Sequence, residues 1–403
     1  MNRGSGFEWT VVLAIVALAA FSLSPGLIVL AAGAVAIGVI VTITGRLALV
    51  GLETDVRIEP ERVLEGERFV VVITIINRKP IPLPWLDVRL FLPEGLESAS
   101  AERGVPRTWV NAGFAPGAHE RIVLRAPIVA ARRGSYAIGP LRLRGGDWLG
   151  FSTSEREDPV SRQIVVYPVP IAALDRRVPA LRPLAETAVR RGLVPDPLRF
   201  RGVRPHRSGD PRKEIHWKAS ARLRSLQTKL YEPATSLDVI FLVNVASHEQ
   251  YWLQADPEAV ELVIAATAEL VRKAASAGRQ VGLVTNGLDN VTHERPRSAL
   301  SRGPRSLGRT LEILARLGPY AANSPAAVFL AERGRLPWGA SLIVVTPKII
   351  AGGLVGALIA LRRAHHRVLV VSVEAAPIEV AVHLRARGID VDTLHEAELR
   401  HAV

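Results

Sequence analysis

Apolar and polar positions follow three different rhythms along this chain, and each rhythm predicts a different architecture. The first has no polar beat. Between Glu8 and Arg46 lie 37 consecutive uncharged residues rich in Ala, Val, Ile and Leu. As one helix this stretch would extend roughly 55 Å, against a hydrocarbon core of about 30 Å, so two crossings are expected. Ser24-Pro25-Gly26 supplies the break, because Pro and Gly end one helix and allow the next to start. The reading is a two-helix transmembrane hairpin within residues 1–50, with spans at about 9–23 and 27–44. Arg3 and Arg46 flank the pair while the connecting turn is uncharged, which places both ends in the cytoplasm and makes the chain a multi-pass protein of the cell membrane. A cleaved signal peptide ending near Ala17-Leu18-Ala19 is the competing interpretation. It would export everything downstream, with the second apolar segment acting as a stop-transfer anchor.

Residues 53–168 alternate with period two. Phe69–Asn77, Leu86–Leu92, Glu120–Ile128, Ser135–Leu143 and Gln163–Tyr167 read as strands, separated by turn pairs such as Glu65-Gly66 and Pro116-Gly117. This predicts an immunoglobulin-like β-sandwich, with Trp85, Trp109 and Trp148 expected in its core or along its edges. In residues 237–403 apolar runs alternate with helical periods. Strands are expected at Leu237–Val245, Gln280–Thr285, near Val291, Ser341–Thr346 and Arg367–Val373. Helices are expected at Pro257–Ala277, Ser306–Leu317 and Leu354–His365, before a final helix and strand. That pattern is a doubly wound α/β domain with a mainly parallel sheet. Val178–Pro197 and Ser301–Arg305 read as flexible loops.

Charge changes the picture at one place. Of a net +13, the segment Arg176–Lys229 supplies +11, from fifteen Lys or Arg and four Asp or Glu. It lies in the stretch 169–236 that joins the two domains, and could attract nucleic acid, an anionic membrane or an acidic protein. The chain has no cysteine, which excludes disulfides, thiolate-ligated zinc, iron–sulfur clusters and a cysteine nucleophile.

Within that segment, Asp210-Pro211 reads as a helix start, with the carboxylate accepting backbone N–H groups and Pro in the first turn. A helix to about Leu223 would carry Ile215, Ala219 and Leu223 on one face and Arg212, His216 and Ser220 on another. One functional reading makes His216 a general base near Ser220 or Asp210, hence a hydrolase, but no triad or nucleophile elbow accompanies it. The other has Asp210 capping the helix, His216 and Trp217 packing on the following sheet, and the arginines docking an anionic partner. Nucleic acid is the weaker candidate partner, because only Phe200 and Trp217 could stack on bases.

The run Gly209, Asp210, Pro211, Arg212, Ile215, His216, Trp217, Lys218, Ser220, Ala221 and Arg222 resembles the signature of the bacterial domain-of-unknown-function 58 proteins. Asp147-Trp148-Leu149-Gly150-Phe151 is similar to that family's Asp-Pro-Phe-Gly-Leu-like turn, and Val166-Tyr167-Pro168 closes the sandwich in the same manner. His206 stands where the family more often has Tyr. The resemblance implies that the α/β domain is similar to von Willebrand factor type A modules, many of which hold a divalent metal through Asp-x-Ser-x-Ser. Here Asn244, Ala246 and His248 occupy those three positions, and Thr346-Pro347-Lys348 follows the later strand, so no metal or other cofactor is expected. It also implies a non-catalytic scaffold or adaptor working with a MoxR-type AAA+ ATPase, and with transglutaminase-like or other A-domain proteins, in complex assembly. Arg201, Arg204, Arg207 and Arg212 are the residues expected to dock that partner.

Overall fold

The computed structural model describes residues 9–22, 24–99, 108–160, 162–169, 195–207, 210–233, 238–252, 255–350 and 352–394. The chain divides into two compact units, 1–167 and 168–403.

The first unit opens with two apolar helices, α1 (Trp9–Ser22) and α2 (Pro25–Arg46), which lie against each other. Pro25 opens α2 where its missing N–H costs nothing. Inside α2, the Thr42 and Thr44 hydroxyls donate to the carbonyls of Gly38 and Ile40, each at 2.7 Å, so neither is left unsatisfied in an apolar setting. Among the described residues α2 is the one helix long and apolar enough to cross a membrane. α1 has 14 residues, or roughly 21 Å of helix against about 30 Å of hydrocarbon. The expected pair of spans is thus one helix of spanning length and one shorter apolar helix.

Eleven strands follow: β1 (Leu52–Glu59), β2 (Arg62–Leu64), β3 (Arg68–Asn77), β4 (Leu86–Phe91), β5 (Leu96–Ser98), β6 (Trp109–Phe114), β7 (Arg121–Ala130), β8 (Gly134–Ile138), β9 (Leu141–Gly146), β10 (Thr153–Asp158) and β11 (Arg162–Tyr167). They form two four-stranded sheets, β1-β3-β7-β5 and β10-β9-β4-β6, and a three-stranded one, β2-β11-β8. Alternation does the work. Phe69, Val71, Ile73 and Ile75 of β3 share one buried cluster with Val88 and Leu90 of β4, Leu141 and Leu143 of β9, and Ile164 of β11. The expected strand Ser135–Leu143 splits into β8 and β9 at Gly139-Pro140, where Pro lacks the ladder N–H. Trp109 sits on an edge strand, as expected. Trp148 does not pack: it is 63% exposed at the tip of the β9–β10 turn.

Among the described residues, the first element of the second unit is a hairpin of β12 (Pro195–Pro205) and β13 (Gln227–Pro233), whose connection carries helix α3 (Trp217–Leu223). The α/β part contains β14 (Asp238–Val243), α4 (Pro257–Ser276), β15 (Gln280–Thr285), β16 (Gly287–Asp289), β17 (Arg297–Ser301), α5 (Pro304–Arg316), β18 (Leu317–Ala321), α6 (Pro325–Glu332), β19 (Ser341–Thr346), α7 (Gly353–Arg363), β20 (Arg367–Ser372), α8 (Ile378–Arg385) and β21 (Asp390–Thr393). Its six-stranded sheet has the order β17-β15-β14-β19-β20-β21. Each neighbouring pair is parallel except β17 with β15. Ile240, Leu242, Leu342, Val344 and Val368 pack with Phe329, Leu358 and Leu384 of α6, α7 and α8. The alternate positions Val239, Phe241, Ile343 and Val345 are buried too, so both faces of the sheet are covered. Val291 lies in an exposed turn, and the antiparallel strand expected near it is β17. Ser301–Arg305 is not a loop, because β17 ends at Ser301 and α5 begins at Pro304. Residues 178–194 of the other expected loop lie outside the described residues, and 195–197 belong to β12.

Candidate functional site

From residue 195 on, the described part of the basic segment folds as an elaborated hairpin. Arg204 pairs in register with Thr228, and Pro205 with Gln227, so the signature residues are looped out between β12 and β13. Asp210 is the hub of this loop. Its carboxylate accepts from Arg204 Nη1 at 2.7 Å and Nη2 at 2.8 Å, from the Arg207 backbone N–H at 2.9 Å, and from the Thr228 hydroxyl at 3.2 Å. The Arg204 hydrogen bonds, then that of the Arg207 N–H, hold the Asp210 carboxyl far below the ordinary carboxylate range, and the same pair raises Arg204. His206 Nδ1 lies 2.9 Å from the Thr228 hydroxyl and completes the cluster.

Asp210 therefore does not cap a helix. The Arg204 fork takes both carboxylate oxygens, and the chain goes on through a 3-10 turn, Arg212–Glu214, to Ile215, which bridges Thr228 in an extended conformation. Only then does α3 start, seven residues long, with His216 as its N-cap. His216 Nδ1 accepts the Ala219 N–H at 3.0 Å, which puts the ring proton on Nε2. Ser220 donates to the His216 carbonyl at 3.0 Å and accepts the Gln227 N–H at 2.8 Å, stitching α3 to β13. Among the described residues no hydrogen bond joins Asp210 to His216 or Ser220. All three side chains are occupied in holding the loop.

The outward surface has a different character. Trp217 is 69% exposed rather than packed on the sheet, and Phe200, Leu223 and Leu226 are also more than half or half exposed, at 53%, 59% and 50%. Arg207, Arg212, Lys213, Lys218, Arg222 and Arg224 are exposed as well. Gly209 and the Arg201 side chain lie outside the described residues. Charge alone revealed the basic residues, while the exposure of Leu223, Leu226 and Trp217 had no signal in the sequence. They read equally well as an inward face.

The degenerate metal position lies where β14 ends beside β19. Asn244 is fully buried. Its Nδ2 donates to the Ala246 carbonyl at 3.1 Å and the Thr346 hydroxyl at 2.9 Å; its Oδ1 accepts the Ala246 N–H and Asn286 Nδ2, each at 2.9 Å. The Thr346 hydroxyl in turn donates to the Lys348 carbonyl at 2.7 Å. A hard cation needs several free oxygens, and here a donor NH2 stands in place of a carboxylate oxygen while each amide atom is already engaged. These residues do not fit the metal that A-type modules hold. Asn244 instead ties two strand ends together. Among the described residues no three His, Cys, Asp or Glu side chains form a metal-binding group.

Residues 202–381 match the family described as "Protein of unknown function DUF58". This region is a DUF58 region. It runs from the end of β12 into α8 and so contains the looped-out signature residues, β13 and the amide cluster. The uncharacterized protein YeaD of Bacillus subtilis (strain 168) is 24% identical over 256 residues, covering 60% of this chain and 58% of that protein. The chain thus spans well under two thirds of the curated relative it matches. Among solved structures, the native conformation of E. coli alpha-2-macroglobulin is similar at 22% identity over 30% of this chain and 7% of that one, with a TM-score of 0.22. The CARDB domain of a Pyrococcus furiosus protein is similar at 18% identity over 29% of this chain and 94% of that one, with a TM-score of 0.20. Neither likeness is close enough to bear on the DUF58 region's function.

Proposed function

We propose that this chain is a membrane-anchored, non-catalytic scaffold whose DUF58 hairpin docks an acidic protein partner. The observation that carries this reading is the division of labour within the hairpin. Its potentially catalytic side chains, Asp210, His216 and Ser220, are consumed in structural hydrogen bonds, while its outer face combines exposed Trp217, Leu223 and Leu226 with Arg212, Lys213, Lys218 and Arg222. Trp and Arg are among the residues that dominate protein interface hot spots. Phosphate-binding surfaces have no need of bared leucines. The family resemblance names a MoxR-type AAA+ ATPase as the partner, with transglutaminase-like and other A-domain proteins in the same assembly.

In this account α2 anchors the chain, α1 supplies a shorter second crossing, and Arg3 and Arg46 keep the soluble parts on the cytoplasmic side. The strand order with its antiparallel edge β17 supports a von Willebrand factor A-like second unit, one that works as a docking platform without a metal. The test is co-purification of the full-length protein in mild detergent, with and without ATP, comparing wild type with the quadruple variant Arg212→Glu/Lys213→Glu/Lys218→Glu/Arg222→Glu. Arg204 is left intact because it holds Asp210. An AAA+ ATPase that comes down with the wild type and is lost from the variant supports the reading; undiminished capture by a folded variant overturns it.

A further inference from the structure

The turn between β9 and β10 presents Trp148-Leu149-Gly150-Phe151 to the outside, with Trp148, Leu149 and Phe151 exposed at 63%, 58% and 52%. A soluble sandwich gains nothing by baring three large apolar side chains on a four-residue tip. The tip is also braced from within. Asp147, itself buried, accepts the Leu149 N–H at 2.6 Å and the Ser152 N–H, and Gly150 takes the positive φ of 76° that the turn requires. No charged residue lies between Asp147 and Glu155.

The position of this turn within the first unit decides what it meets. Ser152 lies so close to the last turn of α2 that a Cβ on Gly45 would overlap its side chain. Ser154 donates to the Gly45 carbonyl at 2.8 Å, Arg156 to the carbonyls of Leu49 and Leu52 at 3.0 and 3.1 Å, and Lys79 Nζ to the carbonyls of Leu47, at 2.9 Å, and Ala48. Together they satisfy carbonyls at and beyond the C-terminal end of α2 and bolt the sandwich to the helix. The tip is thereby held beside the last turn of α2, near whose end Ile43, Arg46, Leu47 and Val50 are also exposed. Trp and Phe at the end of a span, beside a basic residue, are the groups that settle at the boundary between headgroups and acyl chains.

We infer that the Trp148–Phe151 turn inserts into the lipid bilayer beside α2 as a second anchor, holding the sandwich at a fixed tilt on the membrane surface. This rests on α2 crossing the membrane. The occupant is lipid rather than protein because Ser152 and Ser154 fix the turn at the last turn of α2, a helix apolar enough to cross a membrane whose end is itself exposed at Ile43.

The native chain has no cysteine, so single-cysteine variants carry a fluorophore at one known place. Leu149→Cys, Phe151→Cys, Ile40→Cys on α2 and Glu94→Cys, in the exposed turn between β4 and β5, are labelled with an environment-sensitive dye. Each full-length protein is reconstituted into vesicles of phosphatidylethanolamine and phosphatidylglycerol, with nitroxide quenchers placed either high on the acyl chain or near its end. The expected result is a blue shift and strong quenching at positions 149 and 151 by the shallow nitroxide, deeper quenching at position 40, and none at position 94. Quenching at 40 with none at 149 and 151 overturns this inference while leaving the membrane span intact, and points to a protein cover for the patch. No quenching at 40 overturns both.

Discussion

Removing the Asn244 carboxamide tests the claim that the ends of the paired strands β14 and β19 are tied by an amide cluster rather than prepared for a metal. In Asn244→Ala the Ala246 N–H and the Asn286 Nδ2 lose the oxygen they share, both in a fully buried setting. An orphaned buried donor costs about 1–3 kcal/mol, so two of them cost roughly 2–6 kcal/mol before any relaxation. For a unit of this size each kcal/mol lowers Tm by about 2–4 °C, so even the lower bound predicts a fall of roughly 4–8 °C. Scanning calorimetry of the full-length protein in detergent reads this directly. Asn244→Asp is the sharper companion. It replaces a donor 3.1 Å from the Ala246 carbonyl by a carboxylate oxygen, setting acceptor against acceptor in a dry site. It is expected to destabilise at least as much as Asn244→Ala, with no recovery in magnesium. A Tm within about 2 °C of wild type for the Ala variant would refute the energetic argument, and a magnesium-dependent rise for the Asp variant would refute the chemical one.

Ser220→Ala removes the hydroxyl that accepts the Gln227 N–H and donates to the His216 carbonyl. The expected loss is about 1 kcal/mol with faster proteolysis of the 206–226 loop, and unchanged cleavage kinetics would contradict the stitching role. His366 is buried, with desolvation as the main cause pushing its pKa below the usual 6.5. The unfolded chain then takes up a proton as pH falls through about 6.5 while the folded one does not, so stability declines from there down to the lowered folded value. Tm measured against pH is expected to show this acid limb, shallower in His366→Leu; identical slopes would exclude His366 as its source.

The parts of this fold that were legible in the sequence are those where burial leaves a local mark. β14, β15, β19 and β20 are apolar on both faces, and α4 carries its cap signals, Asp256 and Pro257, in adjacent positions. β10 was invisible because TSERED is polar throughout and finds its place only as an edge partner of β9. The hairpin of β12 and β13 escaped notice because its register is broken twice, between Pro195 and Phe200 and again before Gly202. At the site, Asp210 is conspicuous in the sequence as a carboxylate, but its partner is not. Local capping rules see the N–H groups just ahead, whereas Arg204, six residues back on β12, reaches it first. The same limit applies to Trp148 and Trp217, whose exposure is set by what the tertiary fold leaves uncovered.

The central claim is that the basic, apolar-studded face of the DUF58 hairpin touches a protein. A photo-crosslinking residue placed at Trp217 in living cells, with Ile378 on the exposed face of α8 as the control position, tests it most directly. The account predicts a discrete protein adduct at 217 that is absent at 378 and disappears in the Arg212→Glu/Lys213→Glu/Lys218→Glu/Arg222→Glu background. No protein adduct at 217, or one that survives charge reversal, would contradict it.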